Sequence, residues 1–182
     1  MAKVLVIRLS AIGDVAMTVP VIYSAAKANP EDSFTVLTQA FLMPLFMNRP
    51  PNVEVIGINT KGAEKGLIGL LKFISALLKF DFDVILDLHN VIRTIIICTF
   101  FRLNGKRVFV LDKARKERKR LTAIKGKRLY PLRPVIVRYA DVFRAAGLNY
   151  TETFTSLYEE FPAELSGMAS VAGIKNCLLY TS

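Results

Sequence analysis

Residues 8–20, RLSAIGDVAMTVP, place a glycine and a carboxylate, Gly13 and Asp14, where an apolar strand-like run gives way to a helix-like one. Turns of this kind in α/β proteins usually receive phosphates on bare N–H groups. A carboxylate there repels phosphate and suits a hydroxyl instead. Two roles fit Asp14. At a helix start it satisfies unpaired N–H groups and the macrodipole. At the carboxyl edge of a parallel sheet, where ligands of open α/β folds bind, it can take a proton from an alcohol. The roles are compatible, because a carboxylate at a helix start is held still. The stretch has one glycine where a dinucleotide turn has G-x-G-x-x-G, so a hydroxyl-bearing ligand is expected here rather than a nucleotide.

A second group, His89, Asn90 and Arg93 in HNVIRT, follows another strand-like run. If the strands are parallel, it shares an edge with Asp14. His89 also reads as a structural histidine or cap, and Asn90 as a helix N-cap. Arg93, one turn into an apolar helix, needs an anionic partner or a way out to solvent.

The third group is a basic run. Residues 113–138 hold 11 Lys and Arg against the single acid Glu117, so this window carries the whole net charge of +10; the rest of the chain holds 14 basic and 14 acidic residues. A solvated helix face would account for some of it. Cations at such density repel one another and are easier to explain if an anion arrives. Lys113, Arg115, Lys116 and Lys119 fall nearest the end of the fifth expected strand and are candidates for phosphates or carboxylates. Lys125, Lys127 and Arg128 suit anionic lipid heads.

The elements that must carry these groups alternate. Strands are expected at 3–8, 33–38, 53–58, 83–88 and 106–112, and helices at 14–29, 39–48 (broken at Pro44), 66–80, 91–103 and 134–147. Leu67, Leu70, Leu71, Ile74, Leu77 and Leu78 make one apolar face of the 66–80 helix, expected to lie on the sheet, with Lys72 and Lys79 on its wet side. Strand–helix alternation with near-continuous apolar strands predicts an α/β fold, a Rossmann-like parallel sheet with helices on both faces. TETFTSLYEEFP reads as a strand plus linker.

At 182 residues and 52% apolar composition the chain is long enough for one domain with a sizeable core. VLVI is too short for a secretory h-region, and the longest apolar helix, 91–103, is too short to span a bilayer and carries Arg93. Two cysteines form no disulfide framework and suit a reducing compartment, and a single histidine argues against a zinc site.

VIRLSAIGDVAMTVPVI, followed by DVILDLHNVIRT and VFVLDKARKERKR, resembles glycosyltransferase family 9, the ADP-heptose:lipopolysaccharide heptosyltransferases, over residues 3–150. Its most specific part is the G-D-x₅-P spacing of Gly13, Asp14 and Pro20. The resemblance implies the N-terminal half of a two-domain GT-B fold and an inverting, metal-independent transfer with Asp14 as general base. Ser10, Gly13, Asn90, Arg93, Lys113, Arg115, Lys116 and Lys119 would bind the acceptor. It implies no cofactor; the nucleotide-sugar donor, ADP-heptose, would be held by a C-terminal domain. The expected partners are a lipid-linked acidic glycan and an anionic membrane surface, at the cytoplasmic face of the bacterial inner membrane, with no nucleic acid.

On this reading 1–150 is the acceptor domain, 151–176 the linker or start of the donor domain, and 177–182 (CLLYTS) a non-native or truncated tail. Without its donor domain the chain is expected to be inactive alone. Two other readings stay open. One is a basic nucleic-acid-binding module, although Tyr130 is the sole aromatic within 113–138. The other is a nucleotide-binding Rossmann enzyme, against the missing glycine fingerprint.

Overall fold

The computed structural model describes residues 1–60, 62, 66–121 and 131–157. Five parallel strands lie in the order β3-β2-β1-β4-β5: β1 (Lys3–Ile7), β2 (Ser33–Gln39), β3 (Val53–Ile58), β4 (Val84–Asp87) and β5 (Arg107–Val110). Register pairs Ile7 with both Leu37 and Asp87, so β1 and β4 finish level at their carboxyl ends while β2 runs on to Gln39.

Both faces are covered. Val4 and Val6 point into a core shared with α1 (Ile12–Ala16), α2 (Val19–Ala28) and α6 (Val135–Ala145). Leu5 and Ile7 point into a second core, closed by α3 (Gly66–Leu78) and α4 (Ile92–Leu103). This is why β1 is apolar at consecutive positions: a strand buried on both sides has no polar face. A short α5 (Arg115–Leu121) follows β5.

Several elements differ from expectation. The helix expected at 14–29 is two helices, parted at Met17 and Thr18. Pro20 has no N–H to give the preceding turn, so it sits in the first turn of a new helix instead. Thr18 bridges the break: its hydroxyl donates to the Val15 carbonyl at 2.6 Å and its carbonyl accepts from Ile22. The G-D-x₅-P spacing is thus one turn of helix plus a restart. Residues 40–46 form a 3₁₀ helix that tolerates Pro44 and buries Leu42 and Phe46. In α3 the sheet takes Leu70, Ile74 and Leu77, while Leu67 and Leu71 stay exposed.

Residues 151–157 form no strand. They lie along α2, where the N–H groups of Thr153 and Phe154 both donate to Ser24 Oγ at 3.1 Å and Phe154 meets Tyr23 edge-on. Lys125, Lys127 and Arg128, together with the expected 177–182 tail, fall outside the described residues.

Candidate functional site

The site grows from the end of β1. Arg8 continues the strand for one more residue, with its N–H donating to the Leu37 carbonyl at 3.0 Å. Its side chain is buried, an expensive place for a cation unless it is answered. Nη1 donates to the Leu88 carbonyl at 2.6 Å, Nη2 pairs with Asp14 Oδ2, and the guanidinium lies 5.9 Å from the centre of the Tyr139 ring. Asp14 sits in the first turn of α1, whose N-cap is Ala11 with no side-chain cap bond. Its carboxylate therefore makes no cap. It reaches back to Arg8 and keeps 41% of its side chain exposed.

The end of β4 supplies the second part. Asp87 is fully buried, and its carboxylate accepts from the N–H groups of His89 and Asn90 and from the Thr94 hydroxyl, each at 2.8 Å. Asp87, not Asn90, thus organises the start of α4. Asn90 takes a left-handed backbone (φ 50°), to which asparagine is well suited, and its Nδ2 donates to the Leu111 carbonyl at 3.1 Å. That bond ties the end of β4 to the end of β5. His89 Nε2 stands 3.4 Å from Ser10 Oγ. Burial, and then the nearby Arg8 charge, push the His89 pKa down to about 4, so its ring is neutral at physiological pH.

Beyond β5 the chain turns sharply. Asp112 Oδ1 accepts from the Ala114 N–H at 2.9 Å, and Ala114 is left-handed (φ 49°), an uncommon conformation for alanine. Lys113 points back toward the site. Burial, then Arg115 and Arg8, hold its pKa below the usual lysine range, with Asp87 and Asp14 acting in the opposite sense. An open cavity of about 530 Å³ lies here. Asn90, Lys113, Arg115, Lys116 and Arg120 line it, opposed by Asp112 and Glu117.

Of the sequence candidates, Ser10 and Asp14 gather at the end of β1 beside His89 and within electrostatic reach of Lys113, while Asn90, Lys113, Arg115 and Lys116 share the cavity. Arg93, half-buried in the first turn of α4, and Lys119, exposed on α5, are not among the cavity's lining residues. At Gly13 an added Cβ would meet nothing within 4 Å, so the fold itself gives no steric reason for glycine there.

Arg8, Asp87 and Tyr139 are site residues that the sequence pattern does not single out, and for His89 it offers both a cleft position and a structural one. A signal existed for the first two: each is a charge at the end of a run otherwise apolar enough to be buried. Tyr139 carried none, being one aromatic on an amphipathic helix. Among the described residues no group of three or more His, Cys, Asp and Glu could hold a metal ion. The arrangement as it stands can accept a proton at a half-exposed carboxylate and grip anionic groups on the neighbouring cations.

No protein-family model and no curated protein sequence matches the chain. Among solved structures it is similar to a glycosyl transferase family 9 protein from Veillonella parvula, with TM-score 0.62 and 19% identity, over 95% of this chain and 50% of that one. It is also similar to the E. coli heptosyltransferase WaaC solved with ADP, with TM-score 0.56 and 22% identity, over 85% of this chain and 49% of that one. A third is the E. coli ADP-heptose lps heptosyltransferase II, with TM-score 0.55 and 20% identity, over 93% of this chain and 50% of that one. The chain spans about half the length of these proteins and shares their α/β, GT-B-type fold over that half.

Proposed function

We propose that this chain is the acceptor-binding half of an inverting glycosyltransferase that moves a heptose or related sugar from a nucleotide-sugar to a lipid-linked, acidic saccharide. The observation that carries the reading is Asp14: a carboxylate at the carboxyl edge of the sheet, held through one oxygen by a buried arginine and half open to solvent. Oδ2 is committed to Arg8, which leaves Oδ1 for an incoming hydroxyl.

In this reading the acceptor hydroxyl gives its proton to Asp14 as its oxygen attacks the anomeric carbon. The bond from that carbon to the nucleoside diphosphate breaks on the opposite side, so the configuration inverts. Ser10 and neutral His89 border the hydroxyl's approach, and the bare Gly13 lets the sugar come close to the backbone. Lys113, Arg115 and Lys116 take the acceptor's phosphates or carboxylates in the cavity beside Asn90. The donor, ADP-heptose or a relative, falls to the half that this chain does not span. The reaction asks for no metal or cofactor, and the acceptor's lipid places it at the cytoplasmic face of an inner membrane.

The test separates binding from chemistry. Titration calorimetry of this chain with an acidic, phosphorylated lipid-linked saccharide should show binding that Lys113→Ala with Lys116→Ala weakens about tenfold or more. In a protein carrying both halves, Asp14→Asn should lower kcat by roughly a thousandfold while acceptor affinity stays within a few-fold. Near-normal turnover of the Asn variant ends the catalytic role. Tight, steeply salt-dependent oligonucleotide binding with none to the saccharide replaces the reading by a nucleic-acid module.

A further inference from the structure

The face that α3 and α4 turn to solvent carries more apolar surface than the fold uses. The core takes Leu70, Ile74 and Leu77 from α3 and Ile97, Cys98 and Phe101 from α4. Left outside at the start of the helices are Leu67 (60% exposed), Ile68 (74%) and Leu71 on α3 and Ile92 (80%) and Ile95 on α4, and at the far end of α4 Leu103. The first five share one end of the fold. Each helix returns the chain to the amino edge of the sheet, α3 to β4 and α4 to β5, so both helices begin at the carboxyl edge. All five lie in the first two turns of two touching helices, at the same end as the site.

The charge carried by the two helices themselves has one sign. Residues 66–80 and 91–103 contain no acid. Lys72, in the second turn of α3, is exposed next to Leu71, whereas the exposed Lys79 follows the helix at its other end. Asn90, two residues before Ile92, lines the same cavity as Lys113, Arg115, Lys116 and Arg120, which outnumber the acids Asp112 and Glu117 there. At the opposite, amino edge Asp81 pairs with Lys106 and Asp83 accepts from the Lys3 N–H.

We propose that the first turns of α3 and α4 dock on an anionic lipid surface, with Leu67, Ile68, Leu71, Ile92 and Ile95 entering the headgroup–acyl boundary and the flanking cations meeting lipid phosphates. An exposed apolar patch rimmed by cations is what such a surface recognises. Charge decides between occupants. A second copy on this face would bring cations against cations with no acid on either helix opposite, whereas an anionic bilayer answers both the apolar and the charged part. The inference extends the membrane-acceptor reading by naming the surface that makes contact. It is measured on bare vesicles, so its failure leaves the acceptor reading standing, and the reverse also holds.

The experiment uses the whole 182-residue chain and vesicles of phosphatidylcholine with or without about one-third phosphatidylglycerol. Sedimentation should show binding to the anionic vesicles, weakened roughly tenfold or more in Leu67→Glu with Ile68→Glu. Leu103→Glu, equally exposed but at the far end of α4, should change it less than about twofold. The chain has no tryptophan, so Ile68→Trp supplies a single reporter. Its emission should shift to the blue and be quenched by brominated lipids, whereas that of Leu103→Trp should not. Equal binding to neutral vesicles, equal loss in Leu103→Glu, an unquenched Ile68→Trp, or a dimer in solution dissolved by Leu67→Glu with Ile68→Glu would each overturn the proposal.

Discussion

The two ends of the sheet are built from similar residues and use them differently. At the amino end, polar groups answer one another. Asn52 Nδ2 lies within 3.0–3.2 Å of the carbonyls of Ala26, Asn29 and Asp32. The N–H groups of Ala2 and Lys3 donate to Asp32 and Asp83 at 2.6 and 2.8 Å, and Lys106 pairs with Asp81. At the carboxyl end, by contrast, Arg8 Nε, Thr38 Oγ1, His89 Nδ1 and the Tyr139 hydroxyl are buried without partners. None of the unpartnered buried side-chain atoms among the described residues belongs to the amino end. A buried polar atom left unanswered costs stability and calls for a ligand or a water to explain it. One end of this sheet spends its polar groups on the fold, and the other holds some in reserve.

The strongest break of that comparison is Arg8→Met. It removes the donor to Leu88 and the grip on Asp14, and should cost about 3 kcal/mol in urea unfolding together with a large loss of acceptor affinity. Stability lost without any effect on binding would make Arg8 purely structural and erase the contrast. Asn52→Ala, its counterpart at the other end, should cost about 2 kcal/mol by the same measurement and leave saccharide binding unchanged. A change in binding there would mean the two ends are not separable.

The smallest effect is a pH dependence. His89 stays neutral in the folded chain down to about 4, whereas an ordinary histidine takes its proton near 6.5. As pH falls from 6.5 to 4, the unfolded chain gains a proton that the folded chain refuses, so stability present above this window is lost within it and the loss then levels off. The ring's partial exposure screens this, leaving a contribution of ~1–2 kcal/mol. His89→Gln should flatten that part of the thermal-midpoint curve between pH 6.5 and 4. An unchanged slope would place the acid sensitivity elsewhere.

How much of this was legible beforehand depends on the kind of pattern. β3 spans 53–58, as its apolar run predicts, and α4 starts one residue after the expected 91. Gly105 and Gly147 close α4 and α6 with positive φ, as helix-ending glycines do. The apolar period of 14–29 continues through Thr18, and only the missing N–H of Pro20 parts the helix. In α3 the periodicity names six residues for one face, of which the core buries three and takes Leu78 at its margin, leaving Leu67 and Leu71 outside.

What the order of residues determined alone is everything set by neighbours in the chain: strand and helix alternation, the one-sign basic run after β5, and a carboxylate at the first strand–helix turn. What only the tertiary structure decided is which groups meet. Arg8 reaches Asp14 from 6 residues away, but Leu88 from 80, and Ser10 stands beside His89 from 79. Periodicity encodes which side of an element is buried. It carries no information about what the opposite wall supplies, and the strand order that brings β1 against β4 is settled by burial of both sheet faces at once.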